Sequence, residues 1–175
     1  VGFKPIACGD REDAQNFLKA MAPTTLTLDE VNPIFFQQPM APYVAAKVEN
    51  RDIDFSLLDK NLEKLENVFS TILIEGAGGI LTPTTSTLTM RDLARRWRCS
   101  VILVVPNQLG ALSQTLCAVE ALQELVLEAI ILNGRTAEQE LQKSNKEVLL
   151  ERFPGKVWDL SESNFCEFVK RFTEG

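Results

Sequence analysis

The chain has 175 residues, 45% of them hydrophobic and 24% charged, the balance of one compact globular domain with a buried core. Its net charge of −6, carried without a basic block, argues against nucleic acid or an anionic membrane surface as partner, and no apolar run reaches the roughly 20 residues of a membrane-spanning helix. It contains no histidine, which removes His-based triads, His–zinc sites and His as general base.

The first apolar run, Val1–Ile6, reads as a strand that starts without an initiator Met or any lead-in, so further N-terminal sequence is expected before it. A helix follows over Asp10–Ala20, with Ala14, Phe17 and Leu18 on one side. Between Met21 and Val44 stand Pro23, Pro33, Pro39 and Pro42, which predict a loop wrapped over the surface. Leu57, Leu58, Leu62, Leu65 and Phe69 recur at helical spacing and predict a helix over Asp54–Phe69. The strand Thr71–Ile74, a helix at Met90–Trp97, the strand Val101–Val105 and a helix over Ala111–Leu125 come next. That last helix carries Leu112, Leu116, Val119 and Leu122. The strand Ala129–Leu132 and a weaker one at Lys156–Leu160 precede a final helix, Phe165–Phe172. Its stripe of Phe165, Phe168, Val169 and Phe172 reads as a docking face.

Thr71–Ile74 and Val101–Val105 do not alternate with polar residues, as expected of strands covered on both faces. Strands separated by helices specify an α/β fold with a mostly parallel sheet flanked by helices in three layers, spanning residues 1–175 as one domain. In such sheets ligands bind beyond the carboxyl ends of the strands. Cys8, Cys99, Cys117 and Cys166 form no C-x-x-C pair, which disfavours zinc, and scattered thiols without a signal peptide suit the reducing cytoplasm. The last three read as small buried hydrophobes.

Four positions at strand ends carry chemistry. Glu75-Gly76-Ala77-Gly78-Gly79 follows the strand Thr71–Ile74: the carboxylate can hold Mg²⁺, and the glycines let backbone N–H groups approach phosphate oxygens. Lys4 lies where the first strand meets its loop and can neutralise a transferring phosphoryl group or an anionic intermediate. Asp13 opens the next helix beside Arg11 and Glu12, and can add a second carboxylate to a metal held by Glu75. Asn133, followed by Gly134, can pair its amide with the edge of a base. Each has a plain alternative: a tight turn at 75–79, a solvated Lys4, a helix cap at Asp13, an Asn-Gly turn at Asn133. Their joint appearance at successive strand ends is what points to metal and phosphate chemistry.

Several stretches, in this order, resemble dethiobiotin synthetase: KPIACG at Lys4–Gly9, EVNPIFFQQPMAPYVAA at Glu30–Ala46, ILIEGAGG at Ile72–Gly79, TPTTSTLTMRDLA at Thr82–Ala94, VILVVPNQLG at Val101–Gly110, and ILN at Ile131–Asn133. The N-P-x-x-F…P-x-A-P loop together with E-G-A-G-G is the specific part. The resemblance implies a P-loop NTPase-like fold, a cytoplasmic homodimer, and an ATP- and Mg²⁺-dependent cyclo-ligase of biotin biosynthesis. Its substrates would be ATP, CO₂ or bicarbonate, and 7,8-diaminononanoate. One amine takes up CO₂ as a carbamate, the γ-phosphate of ATP is transferred to it, and the second amine closes the cyclic urea as phosphate leaves.

By the same resemblance, Lys4 is the catalytic lysine and Asp13 and Glu75 are Mg²⁺ ligands. Glu75, Gly76, Ala77 and Gly78 form the nucleotide-contacting turn, and Asn133 with Gly134 meets the adenine. Cys8 stands where the family commonly has a hydroxyl that contacts substrate. Leu109-Gly110 matches the segment that meets the substrate carboxylate across a dimer interface. Departures are also visible. The chain has no G-x-x-x-x-G-K-[ST] loop, which the family carries upstream of K-P-I, together with a strand and helix. Ser113-Gln114 replaces the usual Asn-His, and Val157-Trp158-Asp159-Leu160 replaces a proline-containing turn. Two other readings stay open: a related amide-forming ATP-dependent synthetase, and a non-catalytic binding or assembly protein that has lost its phosphate loop.

Overall fold

A computed structural model describes residues 1–134, 139–161 and 165–173. The chain has an α/β fold, and every pairing between its named strands is parallel. Contacts divide it into two compact units, Val1–Asp92 and Leu93–Gly175. Among the described residues no helix is long and apolar enough to cross a membrane.

In the first unit, the expected strand Val1–Ile6 is two strands, β1 (Gly2–Phe3) and β2 (Ile6–Cys8). Pro5 separates them, because it has no N–H to continue a ladder. The two strands then take different neighbours. β1 pairs with β4 (Leu73–Ile74), whereas β2 pairs with β3 (Ile34–Phe36) in the register Ile6–Ile34, Ala7–Phe35 and Cys8–Phe36. Helix α1 (Glu12–Ala20) begins two residues later than the pattern suggests, the Asp10 carboxylate accepting from the Glu12 N–H instead of joining the helix.

The proline-rich stretch 21–44 is more ordered than a surface loop. It holds α2 (Leu28–Val31), β3 and the start of α3 (Pro42–Val48). The prolines stand at compatible places: Pro33 just before a strand and Pro42 at the first position of a helix. A reciprocal capping box fixes the start of α2. The Thr27 hydroxyl accepts from the Glu30 N–H, and the Glu30 carboxylate accepts from the Thr27 N–H at 2.8 Å. Val31, Asn32, Ile34 and Phe36 are all buried. Helix α4 (Phe55–Glu66) is capped by Asp54, whose carboxylate accepts from the Leu57 N–H, and buries Leu58, Leu62 and Leu65. α5 (Met90–Arg96) runs across the division between the units.

The second unit is a three-stranded parallel sheet in the order β5 (Val101–Pro106), β6 (Leu127–Asn133), β7 (Val157–Asp159). Its centre is β6, covered on both faces. Ile130 and Leu132 pack with Val105, Ala111, Leu149 and Val157 on one side, while Ala129 and Ile131 pack with Phe168 on the other. The first face is closed by α6 (Ala111–Leu122) and α7 (Gln139–Arg152), the second by α8 (Phe165–Thr173). Trp158, Phe165 and Phe168 pack with ring centroids 5.3 and 5.6 Å apart, so the Phe165 and Phe168 part of the expected stripe docks α8 onto the sheet, while Val169 is 43% exposed. The Phe172 side chain lies outside the described residues, as does that of Cys166.

Two further expectations need correction, and two helices carry no mark in the sequence. β4 and β5 are not covered on both faces: Leu73 is 55% and Val104 57% exposed, and each strand has one open side among the described residues. Cys117 is exposed and Cys99 only half-buried. Helices α3 and α7 have too weak an apolar stripe to stand out in the sequence; α7 runs Gln-Glu-Leu-Gln-Lys-Ser-Asn-Lys-Glu before its first consecutive apolar residues. Leu132, wholly buried in β6, should lose about 3 kcal/mol of stability on substitution by Ala, read as a lower urea midpoint at unchanged slope. Val68→Thr, at a position 73% exposed, should stay within about 0.5 kcal/mol. A Leu132→Ala cost no larger than that of Val68→Thr would contradict the two-faced packing of β6.

Candidate active site

The break at Lys4-Pro5 turns the lysine inward. Its side chain is 8% exposed, and its ammonium lies 2.7 Å from Asp13 Oδ2, 2.8 Å from Glu75 Oε1 and 3.1 Å from the Gly76 carbonyl. Three acceptors match the three donors of an ammonium, so the buried charge is fully satisfied. Asp13 comes from the first turn of α1, and Glu75 and Gly76 from the end of β4, where the Glu75 N–H also donates to the Phe3 carbonyl at 2.9 Å. Four of the sequence-derived positions, Lys4, Asp13, Glu75 and Gly76, therefore meet at one point at the carboxyl ends of β1 and β4.

Burial by itself would lower the Lys4 pKa, but its hydrogen bonds and the charges of Asp13 and Glu75 outweigh this and hold it above the ordinary value. The hydrogen bond from Lys4 holds the Asp13 carboxyl below the ordinary carboxylate value. The cluster of two carboxylates and one ammonium carries a net charge of −1, and both carboxylates are about half exposed. Each carboxylate has a second oxygen that the Lys4 ammonium does not take, and one or two protein carboxylates are what Mg²⁺ usually draws on. Among the described residues no group of three or more potential metal-ligating side chains comes together, so this pair is the donor set to be weighed.

Past Glu75 the backbone turns through Gly78 at φ +75°, where an added Cβ would lie 2.6 Å from Thr82 Oγ1. The left-handed geometry and the close approach both require glycine there. Ala77 lies within this turn. Cys8 ends β2 and is half-buried; desolvation, reinforced by the Glu49 carboxylate and opposed by Lys4, pushes its thiol pKa up. A raised thiol pKa favours the protonated form, a weak hydrogen-bonding group.

The remaining positions lie in the second unit. Asn133 ends β6 and Gly134 follows it, closely covered by the Gln142 side chain. Leu109 is 82% exposed, and Gly110 caps α6 at φ +89°. A buried amide network, which sequence reading missed, supports this end of the sheet. The Asn107 N–H donates to the Asn133 carbonyl at 3.0 Å, and its side-chain amide donates to the Gln142 carbonyl at 3.2 Å. Asn145 in turn donates to Asn107 Oδ1 at 2.9 Å. The only trace in the sequence is a polar Asn107 directly after an apolar strand. Arg11 and Asn32 in the first unit were missed as well; Asn32 stands between Val31 and Pro33 and is 1% exposed.

The raised Lys4 pKa stabilises the fold fully below its ordinary value of 10.5, an effect lost as pH rises through the folded value. The lowered Asp13 pKa stabilises the fold above its ordinary value of 3.8, an effect lost as pH falls through the folded value. Lys4→Met should therefore lower the thermal midpoint most between roughly pH 5 and 9, with the gap from the unaltered protein narrowing below about pH 4. Thermal melts across that range check this; a gap independent of pH would contradict it.

A family model for the AAA domain matches residues 2–161. The chain is 38% identical to the ATP-dependent dethiobiotin synthetase BioD of Akkermansia muciniphila over 130 residues, 74% of this chain and 61% of that protein. It is 35% identical to the protein of the same name from Serratia marcescens over 131 residues, 71% of this chain and 58% of the other. The match to that of Aquifex aeolicus, 33% over 175 residues, covers 99% of this chain and 80% of the relative. The chain thus spans about three-fifths of the length of the first two relatives and four-fifths of the third. With the match running through the strand ends that gather Lys4, Asp13 and Glu75, the chain belongs to the dethiobiotin synthetase family, on an AAA-type P-loop NTPase fold.

Proposed function

We propose that the protein is an ATP-dependent cyclo-ligase that carboxylates 7,8-diaminononanoate and closes its cyclic urea, working as a cytoplasmic homodimer. The observation that carries this reading is the buried Lys4 ammonium, held between Asp13 and Glu75 at the head of the Glu75–Gly79 turn. The reaction needs fixed positive charge where a carbamate forms and a phosphoryl group is transferred to it. Lys4 supplies part of that charge and keeps it, because its pKa is raised; the two carboxylates beside it leave the cluster at −1, which Mg²⁺ held by them would reverse. Asp13 and Glu75 would hold Mg²⁺, which when bound neutralises charge on the phosphate oxygens.

In this reading the carbamate oxygen attacks the γ-phosphorus of ATP and ADP leaves. The second amine then attacks the carbamoyl carbon and phosphate leaves. The turn through Gly76, Ala77 and Gly78 lines the nucleotide, and Asn133 with Gly134 meets its base. Cys8 faces the diamine. Leu109 and Gly110 lie at a dimer interface, which would cover the strongly exposed Leu109 side chain. The reading also includes a strand, phosphate loop and helix belonging to the whole enzyme.

The test is diamine-dependent phosphate release by the full-length protein in the presence of ATP and bicarbonate. Lys4→Met and Glu75→Gln should each lower kcat at least about 100-fold while the circular dichroism spectrum is kept. Chelation of Mg²⁺ should abolish turnover, and adding it back should restore it. Near-normal phosphate release by both variants would overturn the site assignment, and no diamine-dependent release by the unaltered protein would overturn the function.

A further inference from the structure

The Asn32 side chain, 1% exposed, spends both amide hydrogens on backbone carbonyls: Lys4 at 2.7 Å and Ile34 at 3.0 Å. Its oxygen accepts from Arg11 Nε at 2.8 Å. Arg11 Nη2 reaches the Asn32 carbonyl at 2.6 Å, the Leu28 carbonyl at 3.1 Å and Asp29 Oδ1 at 2.8 Å, while the guanidinium lies over the Phe35 ring at 5.7 Å. Lys4 donates its own N–H to the Val31 carbonyl at 2.8 Å. Both peptide groups that flank the Lys4 Cα are thus gripped by Val31 and Asn32, and Asn32 is gripped by Arg11.

Arg11 stands two residues before Asp13, at the N-terminal boundary of α1. One chain of contacts therefore links the backbone of the residue that bears the ammonium to the helix start that bears its carboxylate partner. This arrangement exceeds what a loop needs for its own hydrogen bonds. A buried amide could satisfy the Ile34 carbonyl without reaching Lys4, and an arginine could pair with Asp29 without entering the fork of Asn32.

We infer that Asn32 and Arg11 are positioning residues for the Lys4–Asp13–Glu75 cluster: Arg11 orients the Asn32 amide, and the amide fixes the Lys4 carbonyl and with it the direction of the ammonium. The consequence for turnover rests on the function proposed above; the geometric part does not. Neither residue touches substrate in this scheme. Both act through Lys4, where a displacement of about 1 Å is enough to cost about 100-fold in rate.

The test compares Asn32→Asp, Arg11→Lys and Thr27→Ala in the full-length protein. Asn32→Asp keeps the acceptor for Arg11 but loses both donors. Arg11→Lys keeps the charge but loses the planar fork. Thr27→Ala removes the cap of α2 and keeps the side chains of Asn32 and Arg11 and the groups through which they bond each other and Lys4. Two readouts are taken: the side-chain ammonium resonance of Lys4 in ¹⁵N-lysine-labelled protein, identified by its loss in Lys4→Arg, and steady-state kinetics.

Asn32→Asp and Arg11→Lys should shift that resonance and lower kcat about 10- to 100-fold, with the nucleotide KM kept within about threefold. Thr27→Ala should lower the thermal midpoint and move neither readout. An unchanged resonance and kcat in Arg11→Lys, with its circular dichroism spectrum kept, would overturn the inference, as would equal effects from Thr27→Ala. If the unaltered protein shows no diamine-dependent turnover, the proposed function falls, and the resonance alone decides the positioning.

Discussion

A lysine ammonium withdrawn from water must have every donor matched, and in the first unit much of the local architecture follows from that requirement. Lys4 is buried at the join of β1 and β2, and the three acceptors it needs come from two other segments, the first turn of α1 and the end of β4. Neither segment could shift alone without stranding a charge. The strand switch at Pro5, the late start of α1 and the short β4 are local features that together deliver one carboxylate from each side. The same constraint explains why the cluster suits chemistry: its charge is held in place rather than left to solvent, and its carboxylates stay half exposed on the outer side.

The second unit solves a different problem with neutral groups. β6 is buried on both faces, and its end must stop at a fixed place without a charged anchor. Asn107, Asn145 and the Gln142 carbonyl do this through amide hydrogen bonds, which brace Asn133 from the flank of α7. Buried amides cost little when every hydrogen is used, and they fix geometry as well as an ion pair would.

The order of elements and the chemistry at the strand ends were legible in the sequence, because both depend on local pattern. Apolar runs of four to six residues marked β5 and β6, and the Glu75–Gly79 turn and Lys4-Pro5 stood out by composition. What the sequence hid was tertiary. A stretch with Pro23, Pro33, Pro39 and Pro42 reads as a loop, yet β3 and α2 form there because Val31, Ile34 and Phe36 find a core, which proline content does not reveal. Asn32 and Arg11 carry no pattern of their own. Their importance lies in partners 17 to 28 residues away, and no periodicity reports that. The convergence of Asp13 on Lys4 could be expected only from the resemblance, since a carboxylate in a helix's first turn is more commonly explained by the helix itself.

The proline after Lys4 also acts before folding. A residue that precedes proline is kept out of the helical region even in the disordered chain, so part of Lys4's backbone freedom is already removed by covalent structure. Folding then has less entropy to withdraw at the residue whose direction matters most.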